Sequence, residues 1–395
     1  MIFKNKVLNF FFFNILILFL ILIFIEFLVR IIYPQNLHGY MGVDIEGVRF
    51  LKKNISHHHR LGDNYSKYEF GDNHNRIYPI DNKKFLEDKK IMILGDSFTF
   101  GWQLKDKKTY INKLQNVFNS YEFLNMSFPG WGLSDFTKAI DLKCLKYKPK
   151  KIIVHLNTDD FNRARISQAY KIKDNVLISN VEEIKRIKVE NEKKIKKLTL
   201  FKKFEKIFLN KDPMPISEKI SLLKEIPGYK FLINNSHFFI IVRNTVYEYL
   251  FTKKNMKNNN TQGNNSYFNY KLYWPSPIYK LDNNQKNEAL LKGKLNILKM
   301  KELANECNSD IYFIYLGWVN FNILEDLNNP TYLFFKYEKN FFKKNEINFY
   351  DNTNDLKLVH SNPEKYLLKN DYHPNELGSE LIFESLLNEY TKILN

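Results

Sequence analysis

The chain has 395 residues, 44% hydrophobic and 26% charged, with 14 Gly and 12 Pro, which excludes a collagen-like or wholly disordered polymer and leaves room for one large elaborated domain or two ordinary ones. Its 60 Lys and Arg against 43 Asp and Glu give a net charge of +17; the charge is spread evenly, without an Arg cluster or basic-aromatic run, so no nucleic-acid partner is expected. Cys144 and Cys307 are the only two cysteines, enough for one bridge but not for a disulfide scaffold or a Cys-rich zinc module.

The first predicted element lies in the bilayer. Over residues 10–29 only Asn14 and Glu26 interrupt an apolar run, and at 1.5 Å per residue it reaches about 30 Å, the hydrocarbon thickness of a membrane. No Ala or Gly precedes Gly39, so the small-residue cleavage site of a signal peptide is missing, and the segment is apolar on every face where a buried core helix would be one-sided. The expectation is an uncleaved single-pass anchor over residues 8–30, with the lipid bilayer as its partner. Lys4 and Lys6 hold its start in the cytoplasm and send the rest outward, against a contrary pull from Arg30, Lys52, Lys53 and Arg60. Glu26 and Arg30, four apart, can pair on one helical face.

Residues 31–88 are polar with little clear periodicity, and are expected to form a stalk and an irregular lead-in. His57, His58 and His59 fall within it; three adjacent histidines cannot all face one metal from a regular element, so a solvated loop is expected there.

From residue 89 onward short apolar runs alternate with helix-period segments. The runs at 91–94, 123–126, 152–156, 311–316 and 347–350 have the length and composition of buried parallel strands. Helical stripes follow from Tyr110, Ile111, Leu114, Val117 and Phe118, from Phe136, Ile140 and Cys144, from Leu291, Leu295 and Leu298, and from Leu377, Leu381, Ile382 and Leu386. This alternation predicts an α/β fold with a five-stranded parallel sheet between two helical layers, over residues 89–395, with ligands at the carboxyl ends of the strands. The third and fourth strands are too far apart for one crossover helix, so a largely helical insertion is expected at about 162–282. In it Ile184, Ile187, Ile195, Leu198, Phe201, Phe204 and Phe208 recur opposite lysines, as on a basic amphipathic helix or pair of helices. The Asn-dominated stretch 256–266 reads as a flexible loop.

Gly95-Asp96-Ser97-Phe98-Thr99-Phe100-Gly101 directly follows the first parallel run. A serine at that place exposes its hydroxyl at the crevice, beside backbone N–H groups able to meet an oxyanion; the same serine could serve only as a helix cap. A nucleophile needs a base, and His373 stands in Asn370-Asp371-Tyr372-His373-Pro374-Asn375 just before the last helical stripe, with Asp371 close enough to orient it.

These motifs resemble those of the SGNH or GDSL hydrolases, serine esterases and acyltransferases on a flavodoxin-like three-layer sandwich, over residues 89–160 and 310–394. The resemblance implies Ser97 as nucleophile, Asp371 and His373 as the rest of the triad, and, through Asn125-Met126-Ser127-Phe128-Pro129-Gly130, Ser97 and Gly130 as oxyanion donors. No metal and no cofactor is implied. The family's third block usually reads Gly-x-Asn-Asp, with its Asn donating to the oxyanion; here Leu156-Asn157-Thr158-Asp159-Asp160 puts Asp159 in that place, leaving Asn157 or a protonated Asp159 to donate. The usual triad acid stands three residues before the histidine, at Asn370 here, whereas Asp371 is two before it. On a membrane tether, the resemblance points to acyl or acetyl ester hydrolysis or transfer on surface carbohydrate, or else to an inactive relative that binds glycans or serves in polysaccharide assembly.

Overall fold

The computed structural model describes residues 2–35, 37, 41–61, 64–80, 85–86, 88–157, 159–196, 228–245, 281–316, 339–353, 355–356, 358–359, 362–368 and 373–395. The chain divides into two compact units: one of residues 1–41, 57–65 and 188–265, and a larger one of 42–56, 66–187 and 266–395.

In the first unit, helix α1 (Ile2–Ile32) carries the expected apolar span, and over Phe10–Ile32 none of it is buried by protein. Asn14 donates its side-chain amide to the Phe10 carbonyl at 2.7 Å, so its polarity is met inside the helix. The Glu26–Arg30 pair forms at 2.8 Å. Within 228–245 a pair of short helices, together α7, follow one another, at Tyr229–Asn235 and at 237–245.

The expected irregular lead-in is instead largely extended. It forms strands β1 (Gly42–Ile45), β2 (Val48–Leu51), β3 (Ile55–Leu61), β4 (Asn64–Phe70) and β5 (Arg76–Ile77). The histidine triplet lies in β3 and not in a solvated loop: His57 and His59 are buried, as alternation along a strand dictates. Among the described residues no His, Cys, Asp and Glu cluster could hold a metal.

The five expected parallel strands are all present: β6 (Lys90–Leu94), β7 (Glu122–Asn125), β8 (Lys151–Leu156), then, beyond the antiparallel hairpin of β9 (Tyr170–Lys173) and β10 (Val176–Ser179), β11 (Asp310–Tyr315) and β12 (Asn348–Asp351). The full sheet has eight strands in the order β12-β11-β8-β6-β7-β5-β4-β3. The extra three come from the lead-in, joined antiparallel through Arg76 against Asn125. Within the parallel part the order reverses between β6 and β8, so the crevice of a doubly wound sheet opens outside the carboxyl ends of those strands.

Ile91, Ile93, Ile153 and Ile314 share one apolar core with α3 (Tyr110–Val117) and the C-terminal α10 (Glu376–Leu394). The alternate residues Met92, Leu94, Ile152 and Val154 are equally inaccessible and project to the opposite face. There α4 (Leu133–Tyr147), α5 (Asp160–Ile166) and α8 (Asn283–Glu306) pack on one another, with α8 also against β11. The stripe expected on α8 faces outward: Leu291 and Leu298 are exposed, while Lys292, Asn296, Ile297 and Met300 are buried. The inner face is partly polar because it has polar partners. The Asn296 carboxamide accepts from Thr137 Oγ1 at 2.7 Å and donates to Ser134 Oγ at 3.2 Å, and Lys292 Nζ donates to the Ser167 carbonyl at 2.7 Å. A disulfide joins Cys144 in α4 to Cys307 at the end of α8, Cα to Cα 6.0 Å. In the insertion, α6 (Val181–Lys196) realises the first part of the amphipathic pattern; Leu198, Phe201, Phe204, Phe208 and the stretch 256–266 lie outside the described residues.

Candidate active site

The Gly95-Asp96-Ser97 turn leaves β6 at its buried carboxyl end and enters α2 (Ser97–Phe100), four buried residues capped by Asp96. Gly95 is required by space: a Cβ there would lie 2.2 Å from Thr99 Oγ1. Asp96 Oδ1 accepts the Phe98 N–H at 2.9 Å. At its far end α2 is held by Arg76, whose five N–H donors all have acceptors: the carbonyls of Phe100 at 2.6 Å, Gly101 at 2.8 Å and Leu104 at 2.7 Å, and Asp106 Oδ1 from Nε at 2.9 Å and Nη2 at 2.6 Å. The Tyr68 and Phe100 rings lie 4.4 and 5.0 Å from this guanidinium. The segment read as a lead-in therefore braces the turn that carries Ser97.

His373 meets that turn. Its Nε2 lies 2.7 Å from Ser97 Oγ, and both residues are 4% exposed. The Phe98 and Trp102 rings stand 5.0 and 6.2 Å from the imidazole. Residues on both sides of the histidine explain its placement: just after the short helix α9 (Pro363–Tyr366) Leu367 forms an antiparallel bridge with Pro374, and the His373 carbonyl accepts from Leu368 N at 2.9 Å. Asn375 caps α10 by accepting from Gly378 N at 3.0 Å and donates its amide to the carbonyls of Lys365 and Leu367 at 2.8 and 2.9 Å. Asp371, expected to orient the imidazole, lies outside the described residues.

Gly130 sits in a turn over residues 128–131, closed by Trp131 N–H to the Phe128 carbonyl at 3.1 Å, with Pro129 second and Gly130 third at φ +86°. This is a type II turn, whose third residue needs the left-handed region. The turn is tied to the Gly95-Asp96-Ser97 turn by Phe128 N–H donating to the Gly95 carbonyl at 3.2 Å, and the space where a Gly130 Cβ would project is open.

The third block separates its two candidates. Asn157 is buried, and its Nδ2 donates to Asp96 Oδ1 at 2.9 Å, one residue from Ser97. Asp159 is half-buried and stands at the N-terminal boundary of α5, where its carbonyl accepts the Arg163 N–H at 2.9 Å. Sequence reasoning missed Arg163 altogether. Its Nη1 donates to Asp96 Oδ2 at 2.8 Å, to the Trp131 carbonyl at 2.9 Å and to Asp160 Oδ1 at 3.3 Å, while Asp160 Oδ2 accepts the Asn157 N–H at 2.7 Å. One guanidinium thus ties the loops that follow β6, β7 and β8. Burial, then the charge of Asp96, pushes the Asp160 carboxyl well above its ordinary range, with Arg163 opposing.

Under the same turn lies a second polar group. His155, wholly buried in β8, has Tyr110 Oη 2.8 Å from Nδ1 and Tyr390 Oη 3.0 Å from Nε2; because Tyr110 Oη gives its one proton to Thr99 Oγ1 at 3.0 Å, the neutral ring donates from Nδ1 to Tyr110 and accepts from Tyr390 on Nε2. Burial pushes this imidazole down to about 3, so it is neutral near pH 7. The Asp-Phe-Asn-Arg spacing at 160–163 and the lone histidine inside an apolar strand carry no signal that would have singled out Arg163 or His155.

No family model and no curated protein matches the chain. Among solved structures it is similar to the psychrotrophic esterase EstA from Pseudoalteromonas sp., at 11% identity over 78% of this chain and 100% of that one, TM-score 0.38. It is also similar to a member of the lipolytic G-D-S-L family from Veillonella parvula, at 11% identity over 76% and 98%, TM-score 0.37, and to a GDSL-like lipase from Bacteroides thetaiotaomicron, at 11% identity over 78% and 90%, TM-score 0.35.

Proposed function

We propose that the protein is a membrane-anchored serine esterase or acyltransferase of the SGNH type. The observation that carries this reading is the 2.7 Å approach of His373 Nε2 to Ser97 Oγ, at the carboxyl end of β6 and beside the point where the strand order reverses. His373 takes the proton as Ser97 Oγ attacks an ester carbonyl, then gives it to the leaving alcohol; water or a second alcohol resolves the acyl-enzyme by the reverse steps. Asp371 holds the imidazole tautomer. In this reading the N–H groups of Ser97 and Gly130 donate to the oxyanion together with the Asn157 amide, which keeps one N–H beyond the one given to Asp96; Asn157 is preferred to Asp159 because its side chain already reaches the nucleophile turn.

The substrate class is an acyl, chiefly acetyl, ester on surface carbohydrate. Helix α1 spans the membrane with Lys4 and Lys6 inside, and the Cys144–Cys307 bridge supports placing the larger unit on the oxidising, extracytoplasmic side. Full-length protein in detergent is expected to hydrolyse a chromogenic acetyl ester and to be labelled by a fluorophosphonate. Ser97→Ala should abolish labelling and lower kcat/KM by about a thousandfold or more; equal turnover by this variant removes Ser97 from the mechanism. The acidic Asp159 in the family's donor position favours one second reading, a glycan-binding protein without turnover, which predicts glycan retention and no label on Ser97.

A further inference from the structure

Glu26 is an acidic residue within an apolar span, and such a group is costly in lipid unless paired. Its carboxylate is fully engaged by a distant part of the same unit. Oε2 accepts from Ser236 Oγ at 2.8 Å and Phe238 N at 3.0 Å, and Oε1 accepts from His237 N at 2.9 Å and Arg30 Nε at 2.8 Å. The Arg30 guanidinium also donates to the Asn235 carbonyl, and Gln35 N donates to His237 Nδ1 at 2.7 Å. The junction between the helices at Tyr229–Asn235 and 237–245 is thereby fixed to α1 at the level of Glu26.

That level is inside the apolar span. Glu26 stands six residues before the end of Phe10–Ile32, about 9 Å along the axis. A span finished before Glu26 would have only the residues 10–25, about 24 Å, short of the roughly 30 Å of hydrocarbon. The helix pair does not hide its apolar side chains at this depth: Ile233 and Ile240 are buried, but Phe231 is 68%, Leu232 38% and Val242 41% exposed. In water this would be an unexplained apolar patch; beside a spanning helix it matches the acyl and headgroup boundary, where amphipathic helices bury apolar faces about 5–10 Å deep.

We infer that the helix pair at 229–245 is a second membrane contact, set into the outer rim of the bilayer with Phe231, Leu232 and Val242 against lipid. The inference rests on α1 spanning the membrane, as proposed above. It gives the unit that carries α1 a second hold on the membrane rather than a single swivelling tether.

The test uses the full chain in phosphatidylcholine vesicles, with a nitroxide placed singly by Phe231→Cys, Val242→Cys, Phe19→Cys or Leu145→Cys; the native cysteines are paired with each other and do not react. Collision with lipid-soluble oxygen is compared with collision with a water-soluble nickel chelate. The expected oxygen-to-nickel ratio at 231 and 242 is at least threefold above that at 145 and close to that at 19. A ratio at either 231 or 242 equal to that at 145, with 19 in lipid, overturns the inference while leaving the anchor intact. A water-exposed label at 19 overturns the anchor and this inference together, and shielding of 231 and 242 from both reagents marks a protein partner in place of lipid and overturns it as well.

Discussion

Arg163 gathers Asp96, Asp160 and the Trp131 carbonyl behind the turn that carries Ser97, whereas beneath the same turn the His155 ring lies between the hydroxyls of Tyr110 and Tyr390 with no charge involved. Both groups are buried, yet they stabilise by different means. The charged one gathers three loops around a single cation, and each ion has been stripped of water, so its worth depends on every partner being present. The neutral one links α2, α3, β8 and α10 through bonds that each contribute modestly and can be lost singly. The contrast teaches that the crevice side is held by an interdependent charge set, and the underside by independent struts.

The sharpest way to break this contrast is Arg163→Met, which leaves Asp96 and Asp160 buried without their cation. It should cost about 3–5 kcal/mol, seen as a large fall in Tm in detergent, and adding Asp160→Asn should recover part of it. A loss under 1 kcal/mol would show the set is not interdependent. Next comes Asn157→Ala, expected to lower kcat/KM on an acetyl ester about a hundredfold or more, against less than threefold for Asp159→Asn; the opposite ranking would return the donor role to position 159.

The neutral side is probed by acid. The His155 imidazole is held down to about 3 by burial, below its unfolded value near 6.5. Its contribution is therefore complete above pH 6.5 and is lost as pH falls from there toward 3, because the unfolded chain takes the proton first. Relative to His155→Gln, the parent should lose about 2 kcal/mol of stability between pH 6.5 and 5, read from denaturant midpoints; parallel curves would remove His155 as the titrating group. Smallest is Tyr390→Phe, which deletes one hydroxyl and should cost about 1 kcal/mol in thermal unfolding.

The parallel strands were legible because burial on both faces leaves nearly unbroken apolar runs such as Ile91 to Leu94, and the serine and histidine motifs because each sits at an element boundary with its own turn and cap chemistry. The lead-in strands were not. Their alternation, Ser66, Tyr68 and Phe70 buried between Lys67 and Glu69, is brief and starts on a polar residue. The α8 stripe was misread because a hydropathy pattern cannot know that Asn296 and Lys292 find acceptors and donors inside. Nor does spacing decide between Asn157 and Asp159, since the direction of a loop side chain is set by its partners, here Asp96 and Arg163.

The Cys144–Cys307 bridge has a topological effect that packing alone would not give. Ser97 precedes the first cysteine and His373 follows the second, so the whole 163-residue interval between the bridged positions, insertion included, is a covalently closed loop. A single proteolytic cut anywhere within it leaves Ser97 and His373 in one molecule, migrating as two fragments only after reduction. The insertion can thus be nicked, or exchanged in evolution for one of different length, without the two halves of the crevice ever coming apart.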